Sequence, residues 1–193
     1  MRKPKPKSMA SIAVMLLIFV VASAPSTGRA EETRFDDQYR LGDDVLEVKG
    51  TGILRYLGFI KAYAGALYTL PGLDAEAVLA DTPKRLEVEY FVPLAGEDFG
   101  PATYEGLSRN LSEEQIDKLR ERIDYHNSLY VDVRPGDRYA LTYAPGKGTA
   151  LSLNGRRLGV IEGADFASAI FSLWLGEKPL DRQFRSALLG MDG

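Results

Sequence analysis

The chain of 193 residues carries 24 basic and 27 acidic side chains, one histidine and no cysteine. The absence of cysteine excludes thiolate nucleophiles, iron–sulfur clusters and disulfides, and a single histidine excludes a histidine-rich zinc site. Once the five basic residues of positions 1–30 are set aside, 19 basic residues remain against 27 acidic ones, a net charge of −8. This balance argues against a nucleic-acid partner, because nucleic-acid-binding proteins usually carry a basic patch.

Positions 1–30 have the organisation of a secretory signal peptide. A basic start and an apolar run from Met9 to Ala24 lead to a small residue, Ala30, before two acidic residues. The apolar run of about 16 residues is shorter than the roughly 20 needed to cross a bilayer. We therefore expect export to a bacterial periplasm, with no membrane span in the mature chain. Residues 31–42 are polar and are expected to form a flexible segment ahead of one domain at 43–193.

The predicted domain begins with two long strands. In the first, at 44–54, Gly50 and Gly52 indicate a bend or the close approach of another backbone. The second strand runs along 59–70, where three of the six even positions, 62, 64 and 66, are alanine. Because small side chains permit close packing, we expect the even face of this strand to contact a helical layer.

Periodicity predicts the remaining elements in this order: a short helix at 74–81, a strand at 84–92, a helical region that ends with 112–130, strands at 137–143, 148–153 and 156–161, and terminal helices from 165. Ser112 and Gln115 form a capping box, and Asn154-Gly155 is a strong hairpin signal. Such an order is typical of an α+β domain, in which helices cover one face of a large antiparallel sheet.

The stretch from Arg55 to Tyr68 consists of aromatic, aliphatic and glycine residues apart from two cations, Arg55 and Lys61. A buried charge costs about several kcal/mol unless it is paired, so we expect a partner. One alternative is a salt bridge from Arg55 to Glu47, Glu87 or Glu89. The other is an anion site, in which Arg55 and the hydroxyl of Tyr63 bind a carboxylate or an oxyanion. The second requires Arg55, Lys61 and Tyr63 to share one strand face, which holds if the register continues unbroken across Gly58.

His126 is the one histidine of the chain and lies near the end of the helical region. Its role stays open between a structural or surface residue, a general base and an axial haem ligand. The G-x-S-x-G motif of a nucleophilic serine is absent, and so is the spacing of a calcium-binding EF-hand. We therefore predict no metal site and assign no cofactor.

Five blocks occur in one order along the chain: "GTGILRYLGFIKAYAGALYTL", "PLAGEDF", "LSRN", "GDRYALTYAPGKGTALSLNG" and "IEGADFASAIFSLWLGEKPLDRQFRSALLG". In this order they resemble the chalcone isomerase-like family, specifically its bacterial exported branch. The resemblance covers residues 45–190. It implies an open-faced β-sandwich, in which a helical layer covers a large antiparallel sheet and a ligand cleft lies between sheet and helices.

The resemblance also implies site residues. The arginine with which plant chalcone isomerases steady oxyanions falls on Arg55, and their catalytic threonine falls on Tyr63. Their active-site tyrosine falls on Phe99, which has no hydroxyl, and an asparagine is matched, with a gap, by Asn110. A serine or threonine becomes Ala167. Because the loss of one donor at a developing oxyanion costs on the order of 3–4 kcal/mol of barrier, flavanone chemistry is not expected.

The leading hypothesis is non-catalytic binding of a small amphipathic carboxylate, fatty-acid-like, in the cleft between sheet and helices. Fatty-acid-binding members of the fold hold a carboxylate with an arginine and a tyrosine, as Arg55 and Tyr63 would. Lys61, Phe99 and Asn110 complete the candidate site. Further residues are expected to form its apolar wall: Phe59, Leu107 and Phe166. One alternative is an isomerase or intramolecular lyase with an unknown substrate, in which Arg55 and Tyr63 are catalytic. Another is an envelope partner-binding protein with a vestigial cleft, and haem in the same cleft is a variant of the first hypothesis.

Overall fold

The computed structural model describes residues 35–57 and 59–191. Its strands and helices follow in chain order: β1 Gln38–Leu41, β2 Asp44–Tyr56, β3 Ile60–Thr69, β4 Lys84–Tyr90, α1 Gly96–Leu107, α2 Glu113–Ser128, β5 Arg138–Ala144, β6 Gly148–Leu153, β7 Arg156–Ile161, α3 Ala164–Leu175 and α4 Arg182–Leu188. No helix among these residues is long and apolar enough to cross a membrane. The predicted signal peptide at 1–30 lies outside the described residues.

The seven strands form one antiparallel sheet in which each strand pairs with its neighbours in sequence, from β1 at one edge to β7 at the other. Short turns make this meander possible. Asn154 and Gly155 join β6 to β7 with φ values of 50° and 80°, the left-handed pair that matches the twist of a hairpin. Helices pack with this sheet around the main core, so the predicted α+β class is confirmed.

The main core lies between the sheet and the helices. The most buried helix is α3, in which Phe166, Ile170 and Phe171 contribute large side chains to the centre of the core. At the start of α2 the Ser112 hydroxyl accepts the backbone N–H of Gln115 at 3.3 Å, and the Gln115 side chain accepts the N–H of Ser112 at 2.8 Å. The predicted capping box is therefore confirmed.

The helix α4 lies directly on the β2–β3 hairpin at three glycines. A Cβ atom at Gly52 would lie 2.9 Å from the Cβ of Ala187, and one at Gly65 would lie 2.6 Å from the Phe184 ring. At Gly50 a Cβ would collide with the carbonyl of Ala187. Only residues without a side chain permit this approach. The close backbone approach predicted at Gly50 and Gly52 is therefore confirmed.

The helical layer covers the opposite face of β3 from the one expected. Leu67 packs into the main core, whereas Ala66 and Tyr68 belong to a smaller core on the other face, together with Tyr39. The expectation relied on the alanines to permit close packing. Gly65, which shares its face with Leu67, provides the space instead.

Two local predictions differ from the structure. Within the segment 31–42, expected to be flexible, residues 38–41 form β1, because Tyr39 and Leu41 pack against the smaller core while their backbones pair with β2. The helix expected at 74–81 is only a 3-10 turn at Ala75–Ala77. The Asp74 side chain makes no capping hydrogen bond there, and a single uncapped turn does not offset the cost of helix nucleation.

Candidate functional site

The β2–β3 hairpin carries the two cations on which the sequence analysis rests. A β-bulge shifts its register, so that Leu54 pairs with Tyr63 whereas Arg55 pairs with Lys61. Leu54 and Tyr63 pack against the main core, but Arg55 and Lys61 are exposed. The unbroken register that would place Arg55 and Tyr63 on one face is not present, because Ala62 is an extra residue in β3.

Arg55 forms no ion pair with any residue in 35–57 or 59–191. The three carboxylates considered as its partners bind other side chains: Glu47 accepts from Gln38, Glu87 from Arg85 and Arg138, and Glu89 from Arg138. The salt-bridge alternative for Arg55 is therefore wrong. Because the guanidinium is exposed, water solvates its charge and no internal partner is required.

Tyr63 is a half-buried polar residue on the helix side of the same hairpin. Its hydroxyl oxygen accepts a hydrogen bond of 3.2 Å from Nε1 of Trp174, since an indole N–H can only donate. No described residue accepts the Tyr63 hydroxyl proton in return. Burial raises the pKa of Tyr63 well above its usual value, and the charge of Asp181 adds to this effect. The phenol is therefore neutral and keeps a proton for an external acceptor.

Tyr63 belongs to an aromatic cluster formed by Tyr63, Tyr90, Phe99, Tyr130 and Tyr139. The rings of Tyr63 and Tyr90 meet edge to face with centroids 5.6 Å apart, and Phe99 stacks on Tyr130 at 4.3 Å. Burial raises the pKa of Tyr90 well above its usual value, and no described residue forms a hydrogen bond with its hydroxyl. The aromatic cluster thus combines apolar surface with two neutral hydroxyls that keep their protons.

The structure brings only some of the candidate residues together. Tyr63 and Phe99 both contact the ring of Tyr90, with centroid distances of 5.6 and 5.9 Å. Arg55 and Lys61 form the next residue pair of the hairpin after Leu54–Tyr63, on the exposed rim. Three of the five candidates therefore lie on the β2–β3 hairpin, and Phe99 is linked to it through the ring of Tyr90 on β4.

Asn110, the fifth candidate, lies in a groove between the α1–α2 turn, α2 and α3, with a volume of 530 Å³. Its Nδ2 donates to the carbonyls of Ser172 at 3.3 Å and Lys178 at 3.0 Å, and its Oδ1 accepts the Lys178 N–H at 2.9 Å. The Asn110 amide thus joins the C-terminal turn of α3 to the segment that follows it by hydrogen bonds. Two cations of the groove are paired within the helical layer: Arg109 with Glu105 at 2.9 Å and Lys118 with Glu114 at 2.7 Å.

His126 is a core residue. It is fully buried, with its ring 5.0 Å from that of Tyr130 and 5.6 Å from that of Phe166. Burial lowers the pKa of His126 to about 4, although a contact with Asn127 partly opposes the shift. The imidazole is therefore neutral near pH 7, which supports the structural role. Within the described residues, no group of three metal-ligating side chains is placed to hold an ion.

Comparison with known proteins identifies the family. A family model described as chalcone isomerase-like matches residues 28–190. The chain belongs to the chalcone isomerase-like family. Its fold is similar to that of a fatty-acid binding protein from Arabidopsis thaliana, with a TM-score of 0.61 and 19% sequence identity over 80% of this chain and 90% of that one. No curated protein sequence gives a significant match. The predicted fold of the chalcone isomerase type is thus confirmed.

Two residues of the candidate site, Tyr90 and Trp174, are not among those expected from the sequence. Tyr90 could have been found from the alternation of β4, which places it on the same apolar face as Leu86 and Val88. A hydroxyl on such a face is expected to have a hydrogen-bond partner or a function. Trp174 is the single tryptophan of the chain. Nothing in its helical periodicity reveals the partner of its N–H, because Tyr63 is 111 residues away in sequence.

Proposed function

We propose that this protein binds a small amphipathic carboxylate, with a fatty acid as the leading candidate, along the helix side of the β2–β3 hairpin. The observation that carries the proposal is the Tyr63 hydroxyl, whose oxygen is held by Trp174 and whose proton no described residue accepts. A carboxylate is a suitable partner, because it only accepts hydrogen bonds and forms charge-assisted ones. Similarity to a fatty-acid binding protein of the same fold supports this choice.

Arg55 and Lys61 supply positive charge near the head group and no direct contact with it, because the bulge removes them from the face that Tyr63 shares with Leu54. Their residue pair lies next to the Leu54–Tyr63 pair in the hairpin, and both side chains are exposed at the rim. Water screens exposed cations, so each contributes less than a buried one. Tyr63 therefore sets the position of the head group, while the two cations favour its negative charge.

Leu54 and two partly exposed members of the aromatic cluster, Phe99 and Tyr130, supply apolar surface for the tail. Each methylene buried there contributes about 0.8 kcal/mol, which is roughly four-fold in affinity. The other wall residues expected from the sequence do not fit this role. Phe59 is 72% exposed, whereas Leu107 and Phe166 are fully buried within the main core.

We infer binding without catalysis. Two of the three positions that carry hydroxyls in the plant enzymes are Phe99 and Ala167 in this chain, and Ala167 is buried in the main core. Oxyanion stabilisation requires donors aimed at one reacting atom, whereas the bulge separates Arg55 from Tyr63. Saturable turnover of an unsaturated or phenolic compound, lost in Arg55→Ala, would favour the isomerase alternative. We place the binding activity in the bacterial periplasm, on the basis of the signal-peptide pattern at 1–30.

Trp174 provides the test, because it is the single tryptophan and contacts the proposed head-group donor. Titration with saturated fatty acids of increasing chain length should change its fluorescence, with affinity rising about four-fold per methylene until the apolar surface is filled. Tyr63→Phe removes only the hydroxyl. Because a hydrogen bond to a charged group contributes about 1.5–3 kcal/mol, this variant should bind roughly ten- to one-hundred-fold more weakly.

Tyr104→Phe is the matched control, because the hydroxyl that it removes binds the exposed carboxylate of Asp124. It should leave the affinity unchanged. Equal affinities of Tyr63→Phe and the wild-type protein would contradict the proposed head-group site. Absence of any saturable change for carboxylates of all lengths would contradict the proposed function itself.

A further inference from the structure

The end of the β2–β3 hairpin projects beyond its neighbouring strands. On one side β1 pairs only with 44–47 of β2, and on the other β4 pairs with β3 only from Tyr63 onward. Residues 53–57 and 59–61, called the hairpin tip below, therefore lie past both ladders.

The hairpin tip exposes large apolar side chains. Leu57 is 67% exposed, Phe59 is 72% exposed and Ile53 is 41% exposed. Leu57 has a φ of 52°, in the left-handed region that leucine seldom adopts. Three large apolar side chains exposed at the end of one projecting hairpin form an apolar patch, and exposed apolar patches often mark interaction sites.

Positive charge accompanies this apolar patch. Arg55 and Lys61 are exposed within the hairpin tip and form no ion pair with a described residue. The sequence from 48 to 73 has no aspartate or glutamate, although the whole chain carries a net charge of −3. The hairpin tip is thus basic and apolar on an otherwise acidic protein.

We propose that the hairpin tip docks on an anionic lipid bilayer. Leu57 and Phe59 insert at the boundary between head groups and acyl chains, while Arg55 and Lys61 bind lipid phosphates. This combination of apolar anchors and cations is what holds peripheral proteins at a membrane surface. Charge complementarity favours this occupant over a second copy of the chain, because two hairpin tips would bring four cations together.

Docking would also have a consequence for ligand exchange, and this step alone rests on the proposed function. The Arg55–Lys61 pair is adjacent to the Leu54–Tyr63 pair, so a docked hairpin tip would hold the proposed head-group site against the bilayer. Amphipathic carboxylates partition into such a surface, and the protein would take them up or release them there.

Vesicle co-sedimentation tests the docking. The secreted product is mixed with vesicles of phosphatidylcholine alone or of equal parts phosphatidylcholine and phosphatidylglycerol. We expect binding to the anionic vesicles, with roughly five-fold loss for each of Arg55→Ala and Lys61→Ala. The double variant Leu57→Ser/Phe59→Ser should lose at least about ten-fold, because two apolar anchors are removed.

The control is Tyr125→Ser/Val131→Ser, which removes two other exposed apolar side chains, each 48% exposed, from a different part of the fold. It should bind like the wild-type protein, and any contribution of the N-terminal segment is common to all the variants. Failure of the wild-type protein to bind anionic vesicles, or equal binding by the Leu57→Ser/Phe59→Ser variant, would overturn the proposal. So would vesicle-free self-association that this variant abolishes, since the occupant would then be a second copy.

Loss of vesicle binding and loss of fatty-acid binding are distinguishable. Leu57→Ser/Phe59→Ser should keep the Trp174 response to a soluble short-chain carboxylate, whereas Tyr63→Phe should keep vesicle binding and lose that response.

Discussion

Replacement of His126 by leucine should make the protein less sensitive to acid. His126 is fully buried, and burial lowers its pKa from 6.5 to about 4. Between these values the unfolded chain takes up a proton that the folded protein does not bind. The neutral imidazole therefore costs the folded protein nothing above pH 6.5, and the free energy of unfolding decreases as the pH falls from 6.5 toward 4. A shift of roughly 2.5 pKa units corresponds to about 3 kcal/mol of unfolding free energy.

Urea unfolding at a series of pH values from about 7 down to about 4 measures this contribution. Leucine fills a similar volume without titrating, so the wild-type protein should lose about 3 kcal/mol more than His126→Leu over this range. Carboxylates also titrate there, but both proteins share them and they cancel in the difference. Parallel pH profiles of the two proteins would refute the reasoning, because they would mean that the buried imidazole ionises without a penalty.

Three further predictions concern packing, alkaline pH and helix capping. Gly50→Ala should destabilise the fold by about 3 kcal/mol, because the new Cβ collides with the carbonyl of Ala187; urea unfolding checks this. Stability should be retained below pH 10 and fall above it, because burial raises the pKa of tyrosines such as Tyr90 in the folded protein and the unfolded chain therefore loses their protons first. A melting temperature that stays constant above pH 10 would contradict this prediction. Ser112→Ala should cost about 1 kcal/mol by removing the cap of Gln115, whereas an unchanged melting temperature would contradict it.

Much of the fold follows from local patterns. Alternation predicts every strand from β2 to β7, because a half-buried strand has a period of two that few other structures produce. Capping and turn residues add their own local geometry, as at Ser112 and at Asn154-Gly155. The strand β1 escapes prediction because only four residues form it and its stability comes from Tyr39, which contacts the ring of Tyr68 on β3. Such long-range packing leaves no local signal.

The candidate site is harder to predict from the sequence than the fold is. One extra residue in β3 explains most of the error in the predicted site. Parity places Arg55 with Tyr63, but the bulge at Ala62 separates them, and a bulge has no dependable sequence signature. Trp174 and Tyr90 reach Tyr63 only through the packing of α3 and β4. Sequence patterns therefore select this hairpin and Tyr63 as candidates, while the partners of that tyrosine are visible only in the tertiary structure.

Arg55→Ala separates the functional roles of this residue from a structural one. Because Arg55 is exposed and has no ion pair among the described residues, its removal should change the unfolding free energy by no more than about 0.5 kcal/mol. A residue in a buried salt bridge would instead cost about 3–5 kcal/mol, from the charge left without a partner. If urea unfolding gives the small value, weaker fatty-acid or vesicle binding by Arg55→Ala reports the loss of its charge near the ligand or the lipid. A loss of several kcal/mol would show that Arg55 supports the fold, and both binding assays would then have to be repeated with Lys61→Ala.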